Sequence, residues 1–262
     1  MNNNKNILSC SNITIGYKTK KDEIVIAKNL NLTLEIGKLI SIVGANGIGK
    51  STLIRTLCGI QKPISGNVFL NEKDIENYHS IELAKNLSVV LTEKLPPSNL
   101  TVFELIALGR QPYTNWLGKL SDDDFNKINQ AIKQVEIEHL VSKKHSEISD
   151  GQLQKVLIAR ALAQDTQLII LDEPTTHLDL LHKVSVFKLL KKLAQETNKC
   201  ILFSTHDIDL AIQLSDQMIV MTQDEIIQDE PYKLISNGIF TTLFKNENIA
   251  FDNEKGKFVV TN

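Results

Sequence analysis

Leu39-Ile40-Ser41-Ile42-Val43-Gly44-Ala45-Asn46-Gly47-Ile48-Gly49-Lys50-Ser51-Thr52 joins an apolar run directly to a glycine-rich loop. Its first five residues form a short apolar run with the character of a buried strand. Gly44, Gly47 and Gly49 then let the chain turn tightly, so that backbone N–H groups of the loop, Asn46 included, can point inward at an anion. The loop fits G-x-x-x-x-G-K-[ST], in which Lys50 brings a mobile positive charge to β- and γ-phosphates and the Ser51 hydroxyl binds Mg²⁺. Lys50 to Leu57 reads as a helix, and its positive end, with Thr52 in the first turn, faces the same phosphates.

Further along, Leu168-Ile169-Ile170-Leu171 is uniformly apolar, as a central parallel strand should be. Asp172 and Glu173 follow at its carboxyl end, where open α/β sheets bind ligands. A carboxylate at position 172 can hold Mg²⁺, and one at 173 can reach a water in line with a γ-phosphate as general base or orienter. Lys199 to Ser204 reads as another buried strand, ending in Thr205-His206-Asp207. Leu87 to Leu91 reads as a third, followed by Thr92. Ser149-Asp150-Gly151-Gln152 precedes a helix-like run, Leu153 to Ala163. Ser149 has N-cap chemistry, and a helix start attracts anions. Near the beginning, Cys10 to Tyr17 alternates and then breaks at Gly16.

Taken in chain order, the loop Gly44 to Ser51, Ser149-Asp150-Gly151-Gln152 and the strand Leu168 to Glu173 resemble the ATP-binding subunit of an ABC transporter, and the resemblance runs over nearly the whole chain. The resemblance implies an α/β fold: a P-loop NTPase core of the RecA-like kind with a mostly parallel sheet, an N-terminal antiparallel β part and an inserted helical subdomain. It also implies ATP as substrate, Mg²⁺ as cofactor and a homodimer that sandwiches two nucleotides. Gly44, Asn46, Gly47, Gly49, Lys50, Ser51 and Thr52 then hold the phosphates of one ATP. Ser149, Gly151 and Gln152 grip the γ-phosphate of the ATP bound by the other subunit. Tyr17 stacks on adenine, a contact worth about 1–3 kcal/mol. Pro174-Thr175-Thr176-His177-Leu178-Asp179 is similar to the family's D-loop, with Asp179 at the matching position, and His206 matches the switch histidine.

Four positions depart from the family pattern, among them Ile148 in place of the usual leucine of Leu-Ser-Gly-Gly-Gln. Ile48 stands where relatives carry a small residue. Asp150 replaces the usual first glycine of Leu-Ser-Gly-Gly-Gln and sets a negative charge near a triphosphate. Thr92 takes the place of a glutamine that reaches Mg²⁺ and the attacking water, so it joins Ser51 and Asp172 as an expected metal ligand and Glu173, His206 and Lys50 as an expected catalytic group. Glu93 is the alternative if the register shifts by one.

Thr101 to Tyr113 begins as a helix and stops at Pro112; Trp116-Leu117-Gly118-Lys119-Leu120-Ser121 follows, and Asp122, Asp123 and Asp124 start the next helix. This stretch resembles the ATPases of importers for iron–siderophore complexes, haem and cobalamin. There the region meets the membrane permease, so Arg110, Tyr113 and Trp116 are expected at that contact.

At 262 residues the chain suits one ATPase domain: a core of about 1–92 and 164–225, a helical subdomain of about 93–163, and a short strand-rich tail of about 226–262. The net charge of −2 gives no electrostatic case for nucleic acid. Apolar runs fall short of the roughly 18 residues that span a membrane. No signal peptide is read at the polar start, and Cys10, Cys58 and Cys200 read as reduced thiols. The expected location is cytoplasmic, peripheral on the inner face of the cell membrane. A permease is the direct partner there, and a periplasmic or surface substrate-binding protein an indirect one. Two other readings stand beside import: a soluble ABC ATPase of DNA repair or translation, and a nucleotide-dependent regulator with little turnover, which Thr92 and Asp150 suggest. The soluble relatives usually carry two ATPase units, a coiled coil or a zinc insertion, and this chain has one unit and no Cys cluster.

Overall fold

Two sheets close on the helix that follows the phosphate loop. The computed structural model describes residues 6–19, 22–92, 96, 98–244, 249–253 and 255–260; Glu93, the alternative to Thr92, lies outside them. In chain order the elements are β1 (Asn6–Lys18), β2 (Glu23–Glu35), β3 (Leu39–Gly44), α1 (Lys50–Leu57), β4 (Ser65–Leu70), β5 (Lys73–Asp74), α2 (Ser80–Ala84), β6 (Leu87–Val90), α3 (Val102–Ala107), α4 (Asp122–Gln134), α5 (Asp150–Ala163), β7 (Leu168–Leu171), α6 (Leu180–Thr197), β8 (Cys200–Ser204), α7 (Ile208–Leu214), β9 (Gln217–Met221), β10 (Ile226–Asp229), α8 (Pro231–Ser236), β11 (Ile249–Asp252) and β12 (Lys257–Val260).

The main sheet has the order β10-β9-β3-β8-β7-β6, parallel except for β10. Its central strands β3, β7 and β8 are buried at every position because both faces are covered. Ile40 and Ile42 of β3, with Leu168 and Ile170 of β7, face a core shared with α1 and the N-terminal strands. Their neighbours Leu39, Val43, Ile169 and Leu171 face the opposite core, built with α6 and the helical subdomain. Period-two alternation thus feeds two cores from one strand. The antiparallel sheet, β2-β1-β4-β5, lies on the α1 side. Here the expected break at Gly16 does not occur. β1 runs on to Lys18 with a register shift, because a glycine lets the strands approach; a Cβ at Gly16 would stand 2.0 Å from the Ile24 carbonyl oxygen.

The helical subdomain is fastened by side chains at its helix starts. Thr101 with Glu104, Ser121 with Asp124, and Ser149 with Gln152 each form a reciprocal capping box. The α3 helix stops at Ala107 and tightens into a 3₁₀ turn, Leu108–Tyr113, that contains Pro112. This turn corrects one expectation. Arg110 is not at the surface: only 3% exposed, it pairs with Asp124 at 2.7 Å and donates to the Ala163 carbonyl at 2.9 Å. Its guanidinium lies 4.0 Å from the centre of the Tyr113 ring. A basic residue in a polar-looking motif reads as exposed until the buried partner carboxylate, fourteen residues later, is known. Tyr113 is half-exposed and Trp116 is 91% exposed, so those two do present themselves at the surface.

The segment after Gln223, expected as a strand-rich tail, starts with β10 at the antiparallel edge of the main sheet. It continues into α8 and a β11–β12 hairpin held by Phe240, Phe244, Phe251 and Phe258. Among the described residues no helix is long and apolar enough to cross a membrane.

Candidate nucleotide site

The carboxyl ends of β3, β7 and β8 deliver their loops to one cavity of about 520 Å³, lined by Tyr17, Ile26, Asn46, Gly47, Gly49, Lys50, Ser51, Thr52, Glu173 and His206. Two glycines carry the loop's shape. Gly47 has φ 75 and Gly49 has φ 109, both in the left-handed region, and a Cβ on Gly49 would meet Ile26 Cγ2 at 2.4 Å. Ile48 turns away from the cavity and packs over Gly44 beside Met221, which is how a β-branched side chain fits the loop.

Lys50 is buried, with its ammonium donating to the carbonyl oxygens of Gly44 at 3.0 Å and Ala45 at 3.1 Å. Burial pushes it below the ordinary lysine value, and the negative charges of Glu173 and Asp172 oppose that shift. Its third contact is His206 Nδ1 at 3.4 Å, and Nε2 of the same ring lies 2.5 Å from Glu173 Oε1. An ammonium can only donate, so Nδ1 accepts and Nε2–H donates to the carboxylate; the two neighbours fix the tautomer.

Glu173 reaches this position from a backbone at φ 49, a left-handed conformation that costs a non-glycine residue on the order of 1–3 kcal/mol. Its N–H donates to Ser204 Oγ at 2.8 Å, and Thr176 Oγ1 donates to its second oxygen at 3.1 Å. Asp172 is buried beneath it. Ser204 Oγ donates to Asp172 Oδ1 at 2.6 Å, and Thr92 Oγ1 donates to the Asp172 carbonyl at 3.0 Å. Thr92 therefore stands beside the acidic pair with its proton committed and its lone pairs available. Ser51 and Asp172 are oxygen donors only, a set that suits a hard cation. Among the described residues no group of three or more His, Cys, Asp or Glu could hold a metal unaided. Phosphate oxygens and water would have to complete such a site.

The other expected residues lie apart from this cavity. Ser149 and Gln152 are engaged in capping α5, and Asp150 is exposed at the helix start. Gly151 is where α6 approaches: a Cβ there would meet His182 Cδ2 at 2.8 Å. Asp179 caps α6 and holds His182 Nδ1 at 2.8 Å. A second cavity of about 360 Å³ separates this region from the acidic pair, with Thr92, Asp150, Asp172, Glu173 and His177 on its walls. Tyr17 is half-exposed over the first cavity, its hydroxyl 2.9 Å from Thr52 Oγ1. Sequence reasoning missed Ser204 and Thr176, which orient the acidic pair. Ser204 ends a strand adjacent to β7, the one signal that could have found it.

Residues 27–176 match the ABC transporter family. An uncharacterised ABC transporter ATP-binding protein of Methanocaldococcus jannaschii is 38% identical over 98% of this chain and 87% of its own length. The iron(3+)-hydroxamate import ATP-binding protein of Bacillus subtilis is 36% identical over 86% and 82%. Among solved structures, an ABC transporter assigned to the metal-chelate type, in an inward-facing conformation, superposes with a TM-score of 0.79 at 28% identity, covering 98% of this chain and 96% of that one. A dimeric ATP-binding cassette in a post-hydrolysis state, bound to ADP and phosphate, gives a TM-score of 0.72 at 30% identity, over 86% and 98%.

Proposed function

Because the chain belongs to the ABC transporter family and is one of its ATPases, we propose that it drives uptake of an iron chelate, haem or cobalamin as a homodimer docked on a separate membrane permease. In this reading the protein sits at the inner face of the cell membrane and acts on ATP in the cavity between Tyr17 and Glu173. The backbone of residues 44–52 and Lys50 hold the phosphates, and the Tyr17 ring takes the base. Mg²⁺ would be held by Ser51 and Asp172, with Thr92 at its edge, and when bound it neutralises charge on the β- and γ-phosphates. Glu173 accepts the proton of the attacking water, and His206 holds that carboxylate in place through Nε2 and contacts the γ-phosphate.

One observation carries the dimer. Ser149, Gly151 and Gln152 are absent from the walls of the phosphate cavity of their own chain, yet they form a capped, exposed helix start fit for an anion. A second copy placed head to tail completes both sites at once. The match to a dimeric cassette with ADP and phosphate supports this arrangement. Likeness to the iron(3+)-hydroxamate importer ATPase and to the metal-chelate transporter supports the cargo class. Exposed Tyr113 and Trp116 supply the surface for the permease, and Arg110 stiffens it from within.

The test is reconstitution with candidate permeases of the iron-chelate, haem and cobalamin classes. Iron-chelate, haem or cobalamin uptake that needs ATP and fails with Trp116→Glu, while ATP binding by the isolated subunit persists, is the expected result. ATPase activity that no permease stimulates would favour the soluble or regulatory readings.

A further inference from the structure

Lys183 lies in the first turn of α6, outside every motif that marks the site, and its ammonium is 2.7 Å from Asp207 Oδ1. Asp207 directly follows His206 and occupies the N-cap position of α7. Aspartate is among the preferred N-cap residues because its carboxylate can accept the free N–H groups of the first turn. Here it makes no such bond. The carboxylate is turned the other way, taking the Lys183 ammonium on one oxygen and Thr175 Oγ1, at 3.1 Å, on the other. The pair is largely shielded, with side chains 27% and 22% exposed. Its attraction is therefore screened less than that of a fully exposed pair.

The consequence is geometric. Thr175 belongs to the turn that carries Glu173, Lys183 to the helix capped by Asp179, and Asp207 to the residue pair that carries His206. One carboxylate thus joins three segments around the 2.5 Å His206–Glu173 contact. The neighbouring residue on α6, His182, lies against Gly151, so the same turn of helix touches both the α5 start and the histidine loop.

We infer that Lys183 and Asp207 are positioning residues, which hold the His206 ring in register with Glu173 for the hydrolytic step and leave nucleotide binding untouched. This rests on the proposed roles of His206 and Glu173. A small displacement of a group that orients a base is costly: an error approaching 1 Å is worth up to about a hundredfold in rate. Loss of the ion pair should lower kcat on the order of tenfold while KM for ATP stays within about twofold, since neither residue lines the phosphate cavity.

The experiment measures Mg-ATP hydrolysis by the full chain for Lys183→Met, Lys183→Arg, Asp207→Asn, His206→Ala and the His206→Ala/Lys183→Met double variant, with fluorescent-nucleotide affinity measured on each. Expected are reduced kcat with unchanged affinity for Lys183→Met and Asp207→Asn, recovery in Lys183→Arg, and no further loss when Lys183→Met is added to His206→Ala. A Lys183→Met enzyme with wild-type kcat, or an equal loss in both backgrounds, overturns the inference while leaving the His206 role standing. A His206→Ala enzyme that hydrolyses ATP normally overturns both. If Lys183→Met loses nucleotide affinity as well, the residue is a general structural support and the positioning role is wrong.

Discussion

His206 spans Lys50 and Glu173, its Nδ1 3.4 Å from the ammonium and its Nε2 2.5 Å from the carboxylate. The imidazole is therefore held at both ends, by the first residue of α1 and by the turn after β7. A ring so fixed is a positioning device for the carboxylate beside the phosphate cavity.

Replacing the ring should remove chemistry and spare binding. His206→Ala is expected to lower kcat on the order of a hundredfold or more, as loss of an oriented base does, with ATP affinity within a few-fold. Stopped-flow binding and steady-state phosphate release separate the two; equal loss of both would make His206 a binding residue.

Lys50→Ala should abolish ATP binding or hydrolysis without unfolding the protein. The ammonium is buried and lies below its ordinary value, so its charged form is disfavoured in the fold. The sign follows: a lysine whose folded value is lowered carries a penalty that is present in full below the folded value and fades as pH rises toward about 10.4. Thermal unfolding at pH 7 should show little loss in the variant, and any gain in stability should vanish above pH 10. A wild-type hydrolysis rate would sink the phosphate-loop assignment.

Arg110 behaves differently from a docking residue. Arg110→Met leaves Asp124 buried without its partner and should cost about 3–5 kcal/mol, read by chemical denaturation. Burial alone would raise the Asp124 carboxyl, but hydrogen bonds from Ser121 and the Arg110 pair outweigh it and hold it below the usual range. Stability from this group is therefore present above about pH 4 and lost as pH falls through the lowered folded value. Arg110→Glu sets two carboxylates together and should unfold the helical subdomain. A stable Arg110→Glu protein would contradict the buried pair.

The nucleotide loop, the acidic strand end and the helix starts were legible because each is local: glycine spacing, an apolar run, a cap residue. Arg110 reads as a surface residue in the sequence because its burial depends on Asp124 and Ala163, contacts that no short pattern encodes. Gly16 reads as a break because only its position against the Ile24 carbonyl, beside its β2 partner Val25, shows it to be a close approach. Ser204 and the Lys183–Asp207 pair act across segments far apart in sequence, so no short pattern shows them; Thr176 is only three residues from Glu173, but its contact depends on the left-handed turn at Glu173. Thr92 Oγ1 donates to the Asp172 carbonyl across eighty residues of sequence, a contact that the chain alone does not reveal.

Asp150 should weaken the closed dimer by placing a charge at the exposed α5 start, where the partner's γ-phosphate is expected. Asp150→Gly is predicted to raise basal ATPase activity several-fold, with the larger gain at low ionic strength, where charge repulsion is least screened. An unchanged or lower rate at all salt concentrations would mean that this carboxylate points away from the nucleotide.

Two copies are expected to close on ATP, and hydrolysis through Glu173 to reopen them. Glu173→Gln keeps shape and hydrogen bonding and removes the base. Sedimentation velocity of this variant with and without Mg-ATP is the direct measurement. A monomer that becomes a stable dimer only with ATP, and reverts when Ser149→Arg is added, is expected; a sedimentation coefficient that ATP leaves unchanged would mean that the nucleotide is not shared between two copies.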